Sequence, residues 1–361
     1  MLIKVQIKLE MKKVSILVST IDSGGAEKQA VLLASQLSLY TEVNLLILYG
    51  DYAEYQHNVA ILAESTVKVY KLVGCMLSKI RQVRRIIKVS ETGVLLNYLT
   101  LPDFVGSLVG RMCGIRVYNG IRNSRMSRAK ILMEKIAHNY WASGTIYNCY
   151  SGAEYFANLG FIRKKNIVIP NCFPNIEAPI IRPNHEIKTI ITVGRFDPQK
   201  DYETLIKSVS RLSRNDFRLC IVGYGVLERQ IRAWVKECNI ENKTDIFIKP
   251  NNVSELERNA DIYISTSLFE GTSNSIMEAL NWSLPVVATN VGDNERLVID
   301  GKNGYLHAIG DTRGIAESLS ILLDSSELRN KMGTKSNQIL RENYSMEIFE
   351  KRYVELIEEE N

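Results

Sequence analysis

One segment, residues 261–295, constrains the fold of this chain more than any other. Residues 261–267 form an apolar run that predicts a buried strand, and Pro285 leads a second such run, Val-Val-Ala-Thr. Between the two runs, small polar residues open a helical pattern for which Ser273 or Asn274 is a suitable N-cap. Strand, turn, helix and strand form a βαβ unit, and ligands of such sheets collect at the carboxyl ends of the strands.

Two glutamates stand eight residues apart around the turn of this unit. Glu270 is expected at the strand end, just ahead of a helix whose free N–H groups favour an anion. Glu278 is expected inside the helix, about 12 Å further along if every residue between them is helical. One acid near an anion site and a second a nucleotide's length away suit a ligand with a sugar at one end and a ribose at the other.

This segment resembles the E-x7-E signature of family-4 glycosyltransferases, which are retaining enzymes of the GT-B fold. The likeness includes the proline-led strand and the turn that contains Gly292 and Glu295. The resemblance implies that Glu270 holds hydroxyls of the donor sugar and that Glu278 holds the ribose hydroxyls. It also implies a donor-binding role for the residues of the turn, which are Gly271, Thr272, Ser273 and Asn274.

The order of apolar and helical patterns predicts the domain organisation. At 361 residues the chain exceeds a usual single domain, and strand and helix patterns alternate in two runs. Residues 172–188, which contain three prolines, are the best linker candidate. We predict an α/β fold of two doubly wound, Rossmann-like domains facing across a cleft, as in GT-B. The domains are residues 1–175 on the acceptor side and 176–340 on the donor side, and by resemblance 341–361 packs back on the first.

A basic turn follows the first predicted strand of the second domain. Gly194 and Arg195 end that strand, and Lys200 follows five residues later. Arg can bind two phosphate oxygens at once, and Lys adds a point charge. The turn resembles the family's G-R-x-x-x-x-K phosphate clamp, and the alternative is a solvated basic turn.

Glycines end two other predicted strands. Gly24 and Gly25 resemble the family's glycine loop, which meets the donor phosphates, because glycines let the backbone approach a ligand closely. Gly223 begins a G-x-G turn that resembles one near the family's nucleotide. Plain tight turns remain the alternative for both.

The first-domain side of the predicted site departs from the family pattern. Many members carry a histidine after the strand that begins here at Arg116, whereas Arg122 and Asn123 occupy that place. Three interpretations stay open. Arg122 binds an acceptor phosphate, a nearby polar group stabilises the sugar cation instead, or Arg122 is a salt-bridged loop residue.

Composition excludes several other classes of site. The six cysteines form no C-x-x-C pair and the four histidines are widely spaced, so we expect reduced thiols and no zinc site. No Asp-x-Asp occurs. Metal-dependent sugar transferases of the other common fold hold a cation with such a pair, so we expect no metal. The leaving group is then neutralised by Arg195, Lys200 and backbone dipoles.

Neither a membrane span nor a signal peptide is visible, because no apolar run reaches about 18 residues. We therefore expect a cytoplasmic protein. Residues 1–10 carry no motif, and whether they belong to the native protein stays open because Met11 opens a sequence suited to the first strand.

Charge is divided unevenly along the chain. Residues 1–180 hold 22 Lys and Arg against 12 Asp and Glu, a net of +10, whereas residues 181–361 carry a net of −5. The first half is therefore expected to face a nucleic acid, an acidic lipid surface or a lipid-linked diphosphate. No nucleic-acid motif or aromatic platform accompanies the charge, so we expect no nucleic-acid partner.

Residues 75–88 predict a basic amphipathic helix. Such a helix either lies on an anionic bilayer or packs its apolar side on the sheet as an ordinary surface helix. Its basic residues are Lys79, Arg81, Arg84, Arg85 and Lys88. Further positive charge in this half comes from Arg125, Arg128, Lys130, Arg163, Lys164 and Lys165.

Taken together, the resemblance implies a retaining, metal-independent hexosyl- or N-acetylhexosaminyltransferase. It implies a nucleotide-sugar donor, which family frequency favours as UDP-linked, and a polyprenyl-diphosphate-linked saccharide acceptor at the inner membrane face. The implied setting is bacterial surface polysaccharide synthesis, such as O antigen, lipopolysaccharide or capsule. Two alternatives stay open: a GT-B nucleotide-sugar epimerase and a non-catalytic nucleotide-sugar binding partner.

Overall fold

The computed structural model describes residues 11–22, 24–50, 55–122 and 126–359. The chain forms two compact units: unit 1 is Met1–Cys172 with Glu347–Asn361, and unit 2 is Phe173–Met346. The predicted domain ends at residues 175 and 340 lie three and six residues from the ends of these units. The sequence-based expectations for residues 1–10, Asn123 and Arg125 lie outside the described residues.

Unit 1 is built on a seven-stranded parallel sheet in the order β3-β2-β1-β4-β5-β6-β7. Its strands are β1 Val14–Val18, β2 Val43–Ile47, β3 Lys68–Lys71, β4 Val94–Asn97, β5 Arg116–Ile121, β6 Gly144–Tyr147 and β7 Asn166–Val168. The helices between them are α1 Gly25–Leu37, α2 Gln56–Ala63, α3 Met76–Val89, α4 Thr100–Cys113, α5 Arg128–Ile136 and α6 Tyr150–Asn158. Strands β1, β2, β4, β5 and β6 are buried throughout, as apolar strands covered on both faces must be.

Unit 2 is built on a six-stranded parallel sheet in the order β10-β9-β8-β11-β12-β13. Its strands are β8 Lys188–Arg195, β9 Phe217–Tyr224, β10 Thr244–Ile248, β11 Ile262–Ser265, β12 Val286–Thr289 and β13 Gly304–His307. Its helices are α7 Tyr202–Ser210, α8 Glu228–Glu237, α9 Val253–Arg258, α10 Asn274–Asn281, α11 Asn294–Leu297, α12 Thr312–Asp324 and α13 Ser326–Tyr344. The two Rossmann-like sheets confirm the predicted α/β fold class.

The proline-rich segment predicted as a linker is held on unit 2. The amide of Glu177 donates to Asn281 Oδ1 at 2.8 Å, and the amide of Ile180 donates to Ser283 Oγ at 3.0 Å. Both acceptors lie at or just beyond the end of α10. The segment therefore forms part of the unit's packing, although it has no regular secondary structure.

The last helix, α14 Met346–Glu358, belongs to unit 1 from Glu347 onward. Its buried ring Tyr353 lies 3.3 Å, oxygen to oxygen, from the hydroxyl of Tyr98 at the end of β4. The Arg116 guanidinium, at the start of β5, donates to the carbonyls of Ile357 and Glu359. Helix α14 is thus fixed to the centre of the first sheet.

Each sheet reverses its strand order at one place: between β1 and β4 in unit 1, and between β8 and β11 in unit 2. At such switch points the loops that leave the two neighbouring strands diverge, and a ligand-binding crevice opens at their carboxyl ends. The residues that follow β1, β4, β8 and β11 are therefore the ones to inspect for a site.

Candidate active site

A salt bridge joins the two loops at the switch point of unit 2. Lys200 follows β8, Glu270 follows β11, and the Lys200 Nζ lies 2.6 Å from the Glu270 Oε1. Their side chains are only 17% and 10% exposed. Charged groups this far removed from water require a partner, so each holds the other in place.

Hydroxyl groups fix the two loops around this pair. Ser267 Oγ donates to the same Glu270 Oε1 at 2.8 Å. Thr266 Oγ1 lies 3.0 Å from the carbonyl oxygen of Lys200 and 2.8 Å from that of Asp201, and it can donate to either. The sequence pattern did not assign roles to Thr266 and Ser267. A run of small hydroxyl residues after a buried strand was the available signal.

Main-chain contacts tie the same loops together. The amide of Leu268 donates to the Gln199 carbonyl, and Gln199 Nε2 donates to the Phe269 carbonyl, both at 2.8 Å. Gly292 has φ of +57°, and a Cβ there would lie 2.1 Å from the Glu270 carbonyl oxygen. Glycine at position 292 is therefore required for the next loop to pass beside Glu270.

Arg195 ends the same strand but stands apart from the pair. Its side chain is 68% exposed, and its Nη2 lies 3.4 Å from the Asp197 Oδ2. An exposed guanidinium at this strand end remains accessible to an anionic ligand. Its role in phosphate binding stays a prediction.

The helix α10 begins where the sequence pattern predicts. Ser273 is the N-cap, but its side chain makes no hydrogen bond to the first-turn amides, and Asn274 is exposed. The first-turn N–H groups therefore lack a side-chain cap. Such an end of a helix carries partial positive charge that favours an anion.

Glu278 lies inside α10, as predicted, and is largely removed from solvent. Burial raises the pKa of Glu278, against the opposing effect of Lys200 nearby. Beside it lies Glu257 of α9, which is 2% exposed and has a carboxylate oxygen, Oε1, without a hydrogen-bond partner among the described residues. Burial, and then the charge of Glu278, raises the pKa of Glu257 to about 8. No sequence signal pointed to Glu257, because a lone acid on a short helix usually faces solvent.

The predicted glycines fall into two groups. Gly194 and Gly223 face each other across β8 and β9, and a Cβ at Gly223 would lie 1.9 Å from the Gly194 carbonyl oxygen. Strand packing alone therefore requires glycine at 223. In unit 1, Gly24 is the N-cap of α1 and Gly25 its first residue, and both are exposed.

Arg122 lies at the switch-point side of unit 1, directly after β5. Its guanidinium lies 4.7 Å from the centre of the Tyr98 ring, and its Nη2 donates to the Tyr353 hydroxyl at 2.9 Å. It makes no ion pair with any described residue. Aromatic side chains therefore surround the charge, the buried Asp103 carboxyl acts on it from nearby, and the three interpretations of Arg122 stay predictions.

The basic helix α3 differs from expectation at one residue. Lys79 is buried against the sheet, where its Nζ donates to the Leu48 carbonyl and lies 4.4 Å from the centre of the Tyr49 ring. Lys79 therefore contributes no charge to a surface. The remaining basic residues of the helix are exposed, namely Arg81, Arg84, Arg85 and Lys88.

Two of the other predicted basic residues are already engaged in local contacts. Arg163 pairs with Glu154 at 2.6 Å, and Lys165 donates to three backbone carbonyls. Lys164, Arg128 and Lys130 are exposed.

In the described part of the chain, no helix has both the length and the apolar character of a membrane span. Among the same residues, no group of three or more His, Cys, Asp or Glu is arranged to hold a metal ion.

Comparison with solved structures identifies the fold. Anabaena HepE in complex with UDP superposes with a TM-score of 0.78 at 17% identity, over 96% of this chain and 99% of that one. The apo form of the lipopolysaccharide outer core galactosyltransferase WaaB gives 0.76 at 15% identity, over 96% and 99%. The chain has the GT-B fold.

Sequence comparisons agree with this fold assignment. Residues 176–339 match the family model described as glycosyl transferases group 1. A Campylobacter jejuni relative is 26% identical over 90% of this chain and 94% of its own length. It is named N-acetylgalactosamine-N,N'-diacetylbacillosaminyl-diphospho-undecaprenol 4-alpha-N-acetylgalactosaminyltransferase. A second C. jejuni protein, an alpha-1,4-N-acetyl-D-galactosaminyltransferase named for a diphospho-undecaprenol-linked substrate, is 20% identical over 91% and 93%. These matches support a glycosyltransferase.

Glu257 makes the stability of unit 2 depend on pH. The folded protein keeps the Glu257 proton up to about pH 8, whereas the unfolded chain releases it near pH 4.5, so stability falls as the pH rises between these values. Glu257→Gln cannot ionise and should escape this loss. We expect its melting temperature to match wild type at pH 5 and to exceed it at pH 9, by the equivalent of about 1 kcal/mol or more. Glu255→Gln, an exposed residue on the same helix, is the control. An equal difference at both pH values contradicts the assignment.

Proposed function

We propose that the protein is a retaining, metal-independent family-4 glycosyltransferase. It moves a sugar, hexosyl or N-acetylhexosaminyl, from a UDP-linked donor to a hydroxyl of a lipid-linked saccharide. The observation that carries the proposal is the Lys200–Glu270 pair at the switch point of unit 2. It provides a fixed cation for a leaving diphosphate beside an acid for sugar hydroxyls, with Glu278 in the helix that follows.

The proposed chemistry is a front-side displacement. The bond between the sugar's anomeric carbon and the diphosphate oxygen breaks while the acceptor oxygen bonds to the same face of that carbon. The acceptor proton passes to the departing phosphate oxygen. Lys200 and Arg195 stabilise the leaving diphosphate, together with the uncapped amides of α10, and Glu270 holds the donor sugar. Arg122 acts on the acceptor side, and Gly24, Gly25 and the turn after Glu270 contact the donor.

Printed names and titles of relatives support the substrate classes. Both C. jejuni proteins are named for N-acetylgalactosaminyl transfer and for diphospho-undecaprenol-linked saccharides, and the HepE structures hold UDP or UDP-glucose. We extend these classes to this chain and place it in bacterial surface polysaccharide synthesis, of O-antigen, lipopolysaccharide or capsule type. A lipid-linked acceptor also requires access to the inner membrane face.

Transfer is tested with UDP-sugars and an undecaprenyl-diphosphate-linked saccharide. We expect a new glycosidic bond with the donor's anomeric configuration, formed equally well in EDTA. Lys200→Met should lower turnover by about a hundredfold, since it removes a charged group that stabilises the leaving group. Lys207→Met, which removes an exposed lysine of α7 that pairs with Glu203, should keep normal turnover.

Three results contradict this proposal. Isomerisation of the UDP-sugar without an acceptor indicates an epimerase, and binding without turnover indicates a non-catalytic partner. Loss of activity in EDTA that magnesium restores shows that a metal is required.

Substitutions of Glu270 and Glu278 should have different effects on ligand binding. Glu278→Gln should weaken UDP and UDP-sugar alike, by about tenfold, because the ribose is common to both. Glu270→Gln should leave UDP binding nearly unchanged and remove the gain that the sugar provides. Glutamine keeps an acceptor oxygen for Lys200, so the loop is preserved. Isothermal titration calorimetry measures the affinity of each variant for UDP and for the UDP-sugar. If each variant loses the same affinity for both ligands, the proposed division of roles between the two glutamates is wrong.

The exposed basic face of α3 is the proposed membrane contact. Apolar side chains stand beside its arginines, with Val73, Leu77 and Val89 at 60%, 57% and 77% exposed. Each basic residue near an anionic surface adds about 1 kcal/mol. The triple change Arg81→Glu, Arg84→Glu and Arg85→Glu should therefore release the protein from phosphatidylglycerol vesicles in a flotation assay at low salt. The matched control reverses Arg229, Arg232 and Lys236 on α8. If the wild-type protein does not bind these vesicles, the proposed membrane contact is wrong.

A further inference from the structure

A cavity of about 430 Å³ opens at the switch point of unit 1. It is lined by Ser19 after β1, by residues 99–101 after β4, by Ile121 and Arg122 at the end of β5, and by Glu134 of α5. Its volume lies within the usual range for small-molecule sites, and its position at the strand ends is where α/β sheets bind ligands.

Polar groups in and beside this cavity are buried without partners. Glu134 is 1% exposed, and beyond the adjoining Thr100 and Asp103 neither of its carboxylate oxygens has a hydrogen-bond partner among the residues that the structure describes. Among the same residues the Nε and Nη1 of Arg122 have none, nor has the Oδ2 of the fully buried Asp103 beyond the adjoining Glu134. Each such group costs about 1–3 kcal/mol when it is left unpaired. A cluster of this kind in a native fold indicates that a ligand supplies the missing partners.

The carboxyl groups decide which ligand is compatible. Asp103 is held by the Gly120 amide, which donates to its Oδ1 at 2.9 Å. Burial, and then the proximity of Glu134, raises the pKa of Asp103, while burial raises the pKa of Glu134 to about 7. Burial keeps these two carboxyls from ionising together, so at most one negative charge stands opposite Arg122 and Lys130, and a protonated carboxyl both donates and accepts a hydrogen bond. The cavity therefore favours a neutral ligand that offers both a hydrogen-bond donor and an acceptor.

Apart from Lys130, which is exposed, the remaining side chains of the cavity wall are apolar. The apolar ones are Leu99, Leu101, Ile121, Met126 and Met133. A ligand bearing only hydroxyls leaves this surface uncovered, and an aliphatic ligand leaves the polar groups unpaired. An acetamido group satisfies both, because it carries an N–H donor, a carbonyl acceptor and a methyl group within a few ångströms.

We propose that this cavity binds the acetamido group of a 2-acetamido sugar. Glu134 accepts from the amide N–H, Arg122 donates to the amide carbonyl, and the methyl group contacts the apolar wall. That the sugar is a substrate rests on the proposed glycosyl transfer. Binding in the cavity does not, and it can be measured on its own.

Saturation-transfer NMR on the full chain tests the site. The probes are the methyl glycosides of N-acetylglucosamine and N-acetylgalactosamine, with methyl glucoside and methyl galactoside for comparison. We expect the acetamido methyl protons to receive the strongest saturation. UDP-N-acetylglucosamine and UDP-N-acetylgalactosamine form a second arm. Competition between the two arms assigns the cavity to the donor sugar, and saturation by the glycosides alone assigns it to the acceptor.

Two variants locate the signal. Glu134→Leu removes the carboxyl acceptor and replaces it with an apolar side chain of similar size. It should weaken the acetamido signal about tenfold. Glu134→Gln preserves the shape, and its amide should retain part of the binding. Arg128→Ala, an exposed residue of the same helix, should bind like wild type, and unchanged melting temperatures verify the fold.

Several outcomes overturn the proposal. One is equal saturation of the acetamido and plain glycosides, and another is no saturation of any probe. Inorganic phosphate that binds in this cavity and displaces the probe also overturns it, as does normal binding by Glu134→Leu. If transfer occurs but the acetamido probes do not bind, the proposed function stands and this inference fails. If they bind but no transfer occurs, the reverse holds.

Discussion

The donor-side site depends on the salt bridge between Lys200 and Glu270. The pair links the loops after β8 and β11, which the parallel sheet alone would let diverge at its switch point. Because both side chains are largely buried, separating them leaves a charge without compensation. The rotamer freedom of Lys200 is therefore lost on folding and not on ligand binding, so an incoming diphosphate meets a cation that is already fixed.

The surrounding packing serves this geometry. Ser267 holds the carboxylate, Thr266 holds the backbone of Lys200, and Gly292 allows the neighbouring loop to pass. Burial raises the pKa of both Glu278, within α10, and Glu257, beside it on α9. One site thus combines a fixed cation, an acid paired with it and a second acid within α10, which are the groups proposed for the diphosphate, the sugar and the ribose.

Much of this arrangement could be predicted from the sequence, because local patterns determine it. Apolar runs gave the buried strands, and small polar residues gave the start of α10. The sequence could not show that Lys200 and Glu270, 70 residues apart, bind each other and not only a ligand. The exposed edge strand β3 lacks an apolar run, so the sequence pattern did not predict it. The prediction that Lys79 supplies surface charge was wrong, because its position in the helical repeat places it on the buried side. It lies on the same helix face as Val83 and Ile87, which are buried.

In unit 1, an arginine held against two tyrosine rings stands where the sequence resemblance implies a histidine. Arg122 contacts Tyr98 and Tyr353, so the last helix of the chain helps to fix it. This explains why an arginine is tolerated in such a poorly solvated place. The two units therefore present different groups: unit 2 presents a fixed cation and acids, and unit 1 presents buried donors and acceptors beside an apolar wall.

The central claim is that the Lys200–Glu270 pair receives the donor. A crystal structure of the protein with an intact UDP-sugar tests this most directly. The account predicts a diphosphate oxygen within about 3 Å of the Lys200 Nζ, sugar hydroxyls on Glu270 and ribose hydroxyls on Glu278. A nucleotide bound away from the loops after β8 and β11, with the Lys200–Glu270 pair untouched, would contradict it.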